Sequence, residues 1–273
     1  MGKPTAVTAG SATASTDGPA ADHRRLTSFV KAYDVRGLVG SQLTVDVCRA
    51  LGHSFARLVS DGGARAVVIA HDMRESSPEL AGAFADGVTG AGLDVVMAGL
   101  ASTDLLYFAS GRLQLPGAMF TASHNPASYN GIKMCLSGAV PISLDTGLGR
   151  VRDDAQALLD DAMTGVADER RGSVTERDLL SEYADYLHSL VDLRGIRPLH
   201  VVVDAGNGMA GYTVPAVFDG LPLRVEPLYF ELDGSFPNHE ANPLEPANLV
   251  DLQREVRRTG ADIGLAFDGD ADR

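Results

Sequence analysis

The sequence predicts an α/β protein made of two consecutive units. From residue 26 onward, short apolar runs of strand length alternate with helix-patterned segments. A polar stretch rich in Arg, Asp and Ala over 150–171 interrupts the alternation, which then starts afresh. No repeat of fixed short period competes with this reading.

The elements follow in order. Ala66–Ala70 reads as a buried strand ending at His71 and Asp72. Ser77, Pro78 and Glu79 read as a helix start, with Ser77 as cap and Pro at the first helical position. Leu80, Phe84 and Val88 then give that helix one apolar face. Asp94–Met97 is the next strand, and Gly117–Phe120 a shorter one feeding a polar loop. Residues 150–171 predict a polar surface helix and a connection, and 175–190 a further helix. His200–Val203 is a strand whose Gly-rich sequel, Asp204–Gly211, leads into a helix. Leu223–Phe230 is a strand, 233–243 a turn-dense loop, Leu249–Thr259 a helix, and Asp262–Phe267 a last strand. The units are placed at 26–172 and 173–273, behind a leader over 1–25.

That leader is rich in Ala, Thr, Ser and Gly and lacks the apolar run of a secretion signal, so disorder is expected. The formal net charge of -13 argues against nucleic acid or an anionic membrane as partner. An anionic substrate must therefore be met by a few local cations. The two cysteines, Cys48 and Cys135, form no CxxC pair, a usage that fits a reducing cytoplasm while leaving one disulfide open.

Two segments carry chemistry. In Thr121–Lys133, Asn125–Pro126 and Asn130–Gly131 are turn signals, which place Ser123 and His124 on a bent loop after a strand. Such a serine can carry a phosphoryl group, and Lys133 can fold back to stabilise charge, or shuttle a proton if its pKa is lowered. The same residues serve equally well in a plain polar turn. At the other end of the chain Asp268, Asp270 and Asp272 alternate with Gly269 and Ala271, so an extended loop would turn three carboxylates the same way. Mg²⁺ suits such a trio and Ca²⁺ is chemically admissible; without a cation the run reads as a solvated acidic end.

The full run Thr121–Ala122–Ser123–His124–Asn125–Pro126, followed by Tyr129–Lys133, resembles the phosphoserine loop of the α-D-phosphohexomutases, the family of phosphomannomutases and phosphoglucomutases. Asp268–Arg273 is similar to that family's metal loop, and Lys31–Gly37 to its opening motif. Asp233–His239 and Val203–Gly208 look like further landmarks.

The resemblance implies two mixed-sheet α/β domains, the second truncated. It implies Ser123, Asp268, Asp270 and Asp272 as ligands of Mg²⁺, Arg36 pointing into the site, and Arg273 beside the phosphoserine. Ser123, His124, Lys133 and Arg36 are the implied catalytic set, with either His124 or Lys133 moving the proton. The expected reaction interconverts mannose or glucose 1-phosphate and 6-phosphate through a bisphosphorylated sugar.

With a phosphoserine of about -2 and one Mg²⁺ among the aspartates, Arg36, Lys133 and Arg273 bring the charge near zero. None is then left for the substrate's own phosphate. The resemblance implies two further domains after residue 273, a third with a sugar-recognition loop and a fourth whose Arg/Ser/Thr-rich loop grips that phosphate. A metal-assisted sugar phosphatase and a catalytically inert chain are the competing readings.

Overall fold

A computed structural model of the chain describes residues 25–161 and 171–273. The expected leader and the end of the 150–171 connection lie outside the described residues, Arg25 and Arg171 excepted.

Two sheets organise the described residues. The first contains β1 (Val35–Leu38), β2 (Ala66–His71), β3 (Asp94–Leu100), β4 (Gly117–Phe120), β5 (Tyr129–Leu136), β6 (Val140–Pro141) and β7 (Val174–Glu176). Its order is β1-β5-β4-β2-β3-β7, with β6 paired to β5. β2, β3, β4 and β7 run parallel, whereas β5 is antiparallel to both β1 and β4.

Both faces of this sheet are covered, as its near-continuous apolar strands require. Val67 and Ile69 point into a core shared with α1 (Val45–Asp61), α2 (Ser77–Gly90) and α4 (Leu148–Asp160). Val68 and Ala70, one residue out of phase, pack against α3 (Thr103–Leu113) and the start of α5 (Leu180–Leu190). Leu80, Phe84 and Val88 are all buried, so the apolar stripe of α2 faces inward as its spacing predicts.

The second sheet has three parallel strands in the order β10-β8-β9: β8 (Leu199–Asp204), β9 (Leu223–Leu228) and β10 (Ile263–Ala266). α6 (Ala210–Phe218) follows the Gly-rich turn after β8, and α7 (Val250–Thr259) precedes β10. Its core is small, built around Val201, Val203, Ala205, Ala210 and Val214.

Four expectations need correction. Ser77 is the first residue of α2 and caps nothing; its hydroxyl donates to buried Asp72 instead, at 2.6 Å. Asn130–Gly131 is no turn but the interior of β5. A Cβ at Gly131 would lie 2.4 Å from the Val35 carbonyl oxygen, so glycine is there for close strand approach, not for bending. The helix expected over 175–190 begins at Leu180, because 174–176 extends the first sheet beside β3. β9 stops at Leu228, and the next residue, Tyr229, has a left-handed φ of 56°.

Candidate active site

Parallel strands present their carboxyl ends to one edge, where α/β folds gather chemistry. Here that edge belongs to both sheets. β4 delivers Thr121–Asn125, and β10 delivers Phe267–Arg273. The loops touch: a Cβ on Gly269 would lie 2.5 Å from the Ser123 carbonyl oxygen, so only glycine fits at that crossing.

Ser123 sits in the left-handed region at φ 52°, a conformation costing a non-glycine residue about 1–2 kcal/mol. Its N–H donates to Thr121 Oγ1 at 2.9 Å. Arg74 offsets the strain. Its side chain is only 1% exposed, and its guanidinium donates to the carbonyls of Ser123, Asn125, Pro126 and Tyr129 at 2.7–3.0 Å. Nε reaches Asp72 at 3.2 Å, and the Phe236 ring of the second unit covers the guanidinium at 5.1 Å. Sequence reasoning missed Arg74, which stands just before a helix start and reads as a surface charge. The signal was its place two residues after Asp72, at the end of an apolar strand.

The serine hydroxyl donates to Asp268 Oδ2 at 2.6 Å. His124 Nδ1 lies 3.2 Å from Ser123 Oγ and accepts from Arg273, whose guanidinium is 3.1 Å away. Arginine can only donate, so Nδ1 carries no proton in this arrangement. Burial, then the charges of Arg273 and Arg36, hold the imidazole pKa below its ordinary value.

Lys133, on β5 opposite Met119, donates to Asp270 Oδ2 at 2.7 Å and Asp272 Oδ2 at 2.6 Å. Burial lowers its pKa, but the two carboxylates outweigh burial and raise it. The lowered pKa that a proton-accepting lysine requires is therefore not found. Arg36, on β1, reaches the group through Asn125, donating to its Oδ1 at 2.7 Å and to Asp34 at 2.7 Å.

Asp268, Asp270 and Asp272 bring one oxygen each within 4.8 Å of one another. Their convergence does not come from an extended loop. Ala271 is left-handed at φ 57° and its N–H returns to the Asp268 carbonyl at 3.1 Å, so the run is a tight turn. Burial, then the Asp270 charge, pushes the Asp268 carboxyl up to about 7. Burial also presses on Asp270, but Lys133 and Thr103 outweigh it and the pKa falls.

The donor set fits a hard divalent cation. Asp270 Oδ1 is buried without a hydrogen-bond partner among the described residues. Oxygens sharing an ion at about 2.1 Å lie at most about 4.2 Å apart, so a small contraction suffices. Ser123, His124, Lys133, Asp268, Asp270, Asp272 and Arg273 thus meet in one contiguous cluster, with Arg36 one residue removed. His71, His188 and His200 stay outside it. His239 instead pairs with Asp204, Nε2 to Oδ2 at 3.0 Å.

Residues 28–153 match the phosphoglucomutase/phosphomannomutase α/β/α domain I, and residues 181–273 match domain II of the same family. The chain belongs to the phosphoglucomutase/phosphomannomutase family.

Among its phosphohexomutase relatives, a phosphoglucomutase of Neisseria gonorrhoeae is 40% identical over 245 residues, 89% of this chain and 51% of that protein. A phosphomannomutase of Escherichia coli is 40% identical over 256 residues, 91% of this chain and 55% of that one. The crystal structure of a phosphoglucomutase/phosphomannomutase family protein from Burkholderia thailandensis superposes with a TM-score of 0.81 at 39% identity, covering 91% of this chain and 54% of that one. The chain spans about half the length of the curated relatives it matches. No helix among the described residues is long and apolar enough to cross a membrane.

Proposed function

We propose that this chain supplies the phosphoserine and metal halves of a phosphohexomutase active site, working on mannose or glucose phosphates in the cytoplasm. The observation that carries the reading is the 2.6 Å hydrogen bond from Ser123 Oγ to Asp268, which joins the serine loop of one sheet to the carboxylate trio of the other.

In the reaction, phosphorylated Ser123 transfers its phosphoryl group to the free hydroxyl of a hexose monophosphate. The seryl P–O bond breaks, a sugar P–O bond forms, and the hydroxyl proton leaves for a neighbouring base. The bisphosphorylated sugar then reorients, and its other phosphoryl group returns to Ser123, regenerating the carrier.

Asp268, Asp270 and Asp272, with Ser123 Oγ, would hold Mg²⁺, which when bound neutralises charge on the transferring group. Lys133, kept charged by its two carboxylates, stabilises negative charge and can give up a proton but not accept one. Neutral His124, with Nδ1 3.2 Å from Ser123 Oγ, suits the accepting role. Arg273 and Arg36 flank the serine with positive charge.

The test is intact-mass analysis after incubation with a hexose 1,6-bisphosphate. One added phosphate is expected on the wild-type chain and none on Ser123→Ala. A phosphate that persists in the variant places the carrier elsewhere and overturns the reading. Because the substrate's own phosphate finds no spare cation here, residues 1–273 alone are expected to give little or no isomerase turnover.

A further inference from the structure

Asp270 uses its two oxygens in opposite ways. Oδ2 accepts from Thr103 Oγ1 at 2.6 Å and from Lys133 Nζ at 2.7 Å. Oδ1 is buried and meets no donor among the described residues. A buried acceptor left without a donor is destabilising, so an arrangement that keeps one bare is built for another partner.

Thr103 grips residue 270 twice. Besides the hydroxyl contact, its N–H donates to the Asp270 carbonyl at 3.1 Å. It is fully buried and opens α3, directly after Ser102, whose hydroxyl caps the helix by accepting from Leu105 N–H. The Asp270 carboxylate therefore lies against the positive end of an 11-residue helix. Lys133 Nζ stands 3.5 Å from Thr103 Oγ1 on the other side. Lysine only donates, so the threonine proton is directed at Asp270.

Lys133 alone cannot do this work. Its ammonium swivels on a flexible stem and is shared with Asp272, whereas a β-branched hydroxyl on a capped helix holds one direction.

We propose that Thr103 is a positioning residue of the cation site: it locks Asp270 Oδ2 so that Oδ1 is presented to the divalent ion. The ion affinity of a loop on the second sheet then depends on the first turn of a helix on the first. The proposal rests on the divalent-cation reading of the carboxylate trio.

Mn²⁺ serves as the probe, titrated into the 273-residue chain with free Mn²⁺ followed by electron paramagnetic resonance. The wild type is expected to take up one ion. Thr103→Val, which keeps the shape and loses the hydroxyl, should weaken binding about 10- to 100-fold, while Thr103→Ser should stay close to wild type. Far-UV circular dichroism checks the fold. Should the valine variant fail to fold, Thr103→Ala carries the same comparison.

Wild-type affinity in the valine or alanine variant overturns the proposal and leaves the cation reading standing, as does a serine variant no tighter than valine. A wild-type chain that binds no Mn²⁺ overturns both.

Discussion

Replacing Arg74 by methionine offers the sharpest test of how the serine loop is held. The guanidinium fills a buried site with five hydrogen bonds, one to Asp72 and four to loop carbonyls. Methionine keeps most of the volume and removes every donor. Breaking a buried ion pair by deleting one partner costs about 3–5 kcal/mol, because the other charge is left uncompensated. Asp72 keeps the Ser77 hydroxyl and the residue-74 N–H as donors, which argues for the lower part of that range. The exposed Pro126 carbonyl can turn to water, but the buried Ser123 carbonyl cannot, adding about 1–3 kcal/mol.

A total of about 4–6 kcal/mol follows, read as the change in unfolding free energy by urea denaturation. Arg74→Lys, which keeps the charge but only a point donor, should lose roughly half as much. In the double variant Asp72→Asn/Arg74→Met, part of the loss should be recovered, because the stranded charge is gone. A loss below about 1 kcal/mol for Arg74→Met, the scale of an exposed pair, would refute the reasoning.

Two further outcomes follow from the same geometry. Gly131→Ala should cost about 1–3 kcal/mol or more, since its Cβ would press on the carbonyl oxygens of Val35 at 2.4 Å and Thr121 at 2.8 Å, whereas Gly111→Ala, in open space on α3, should be neutral or gain up to about 1 kcal/mol; equal melting temperatures for the two would contradict this. Ion binding should weaken as pH falls through about 7, because Asp268 must lose a proton to become a ligand. Its raised pKa also means that the ion-free chain gains stability from this group below 3.8 and loses it as pH rises toward 7. Mn²⁺ should therefore raise the melting temperature more at pH 8 than at pH 5.5, and an equal rise at both would sink the assignment.

Much of the scaffold was legible because burial and period agree. Ala66–His71, Asp94–Leu100 and Leu199–Asp204 are apolar runs of strand length, and α2 declares itself through Pro78 and the Leu80, Phe84, Val88 stripe. What stayed illegible is what tertiary approach decides. Asn130–Gly131 carries a strong local turn signal, yet a neighbouring backbone at β1 needs a residue without a Cβ and recruits that glycine into a strand. Buried Asn130 is then satisfied by the hydroxyls of Ser76, just before α2, and Ser77, its first residue, a partnership no local window contains. α1 passed unread, and its Val47, Leu51 and Phe55 are at helical spacing but interleaved with buried Cys48, Ala50 and Gly52, which blur the stripe.

The candidate site shows the same division. The residue types were readable from two short motifs, but the reason they converge was not. Period-two alternation suggested an extended loop, while the chain brings three carboxylates together with a left-handed Ala271 in a tight turn. Two buried carboxylates and an exposed third repel one another, so the turn needs outside cations and donors to hold its shape. Among the described residues, the long-range donors come from the first sheet's unit: Ser123 to Asp268, Thr103 and Lys133 to Asp270, Lys133 to Asp272. The acidic loop and the serine loop are therefore each incomplete alone. Separating the two units would strip the carboxylates of these donors and the serine of its acceptor, which ties both loops to one docking event.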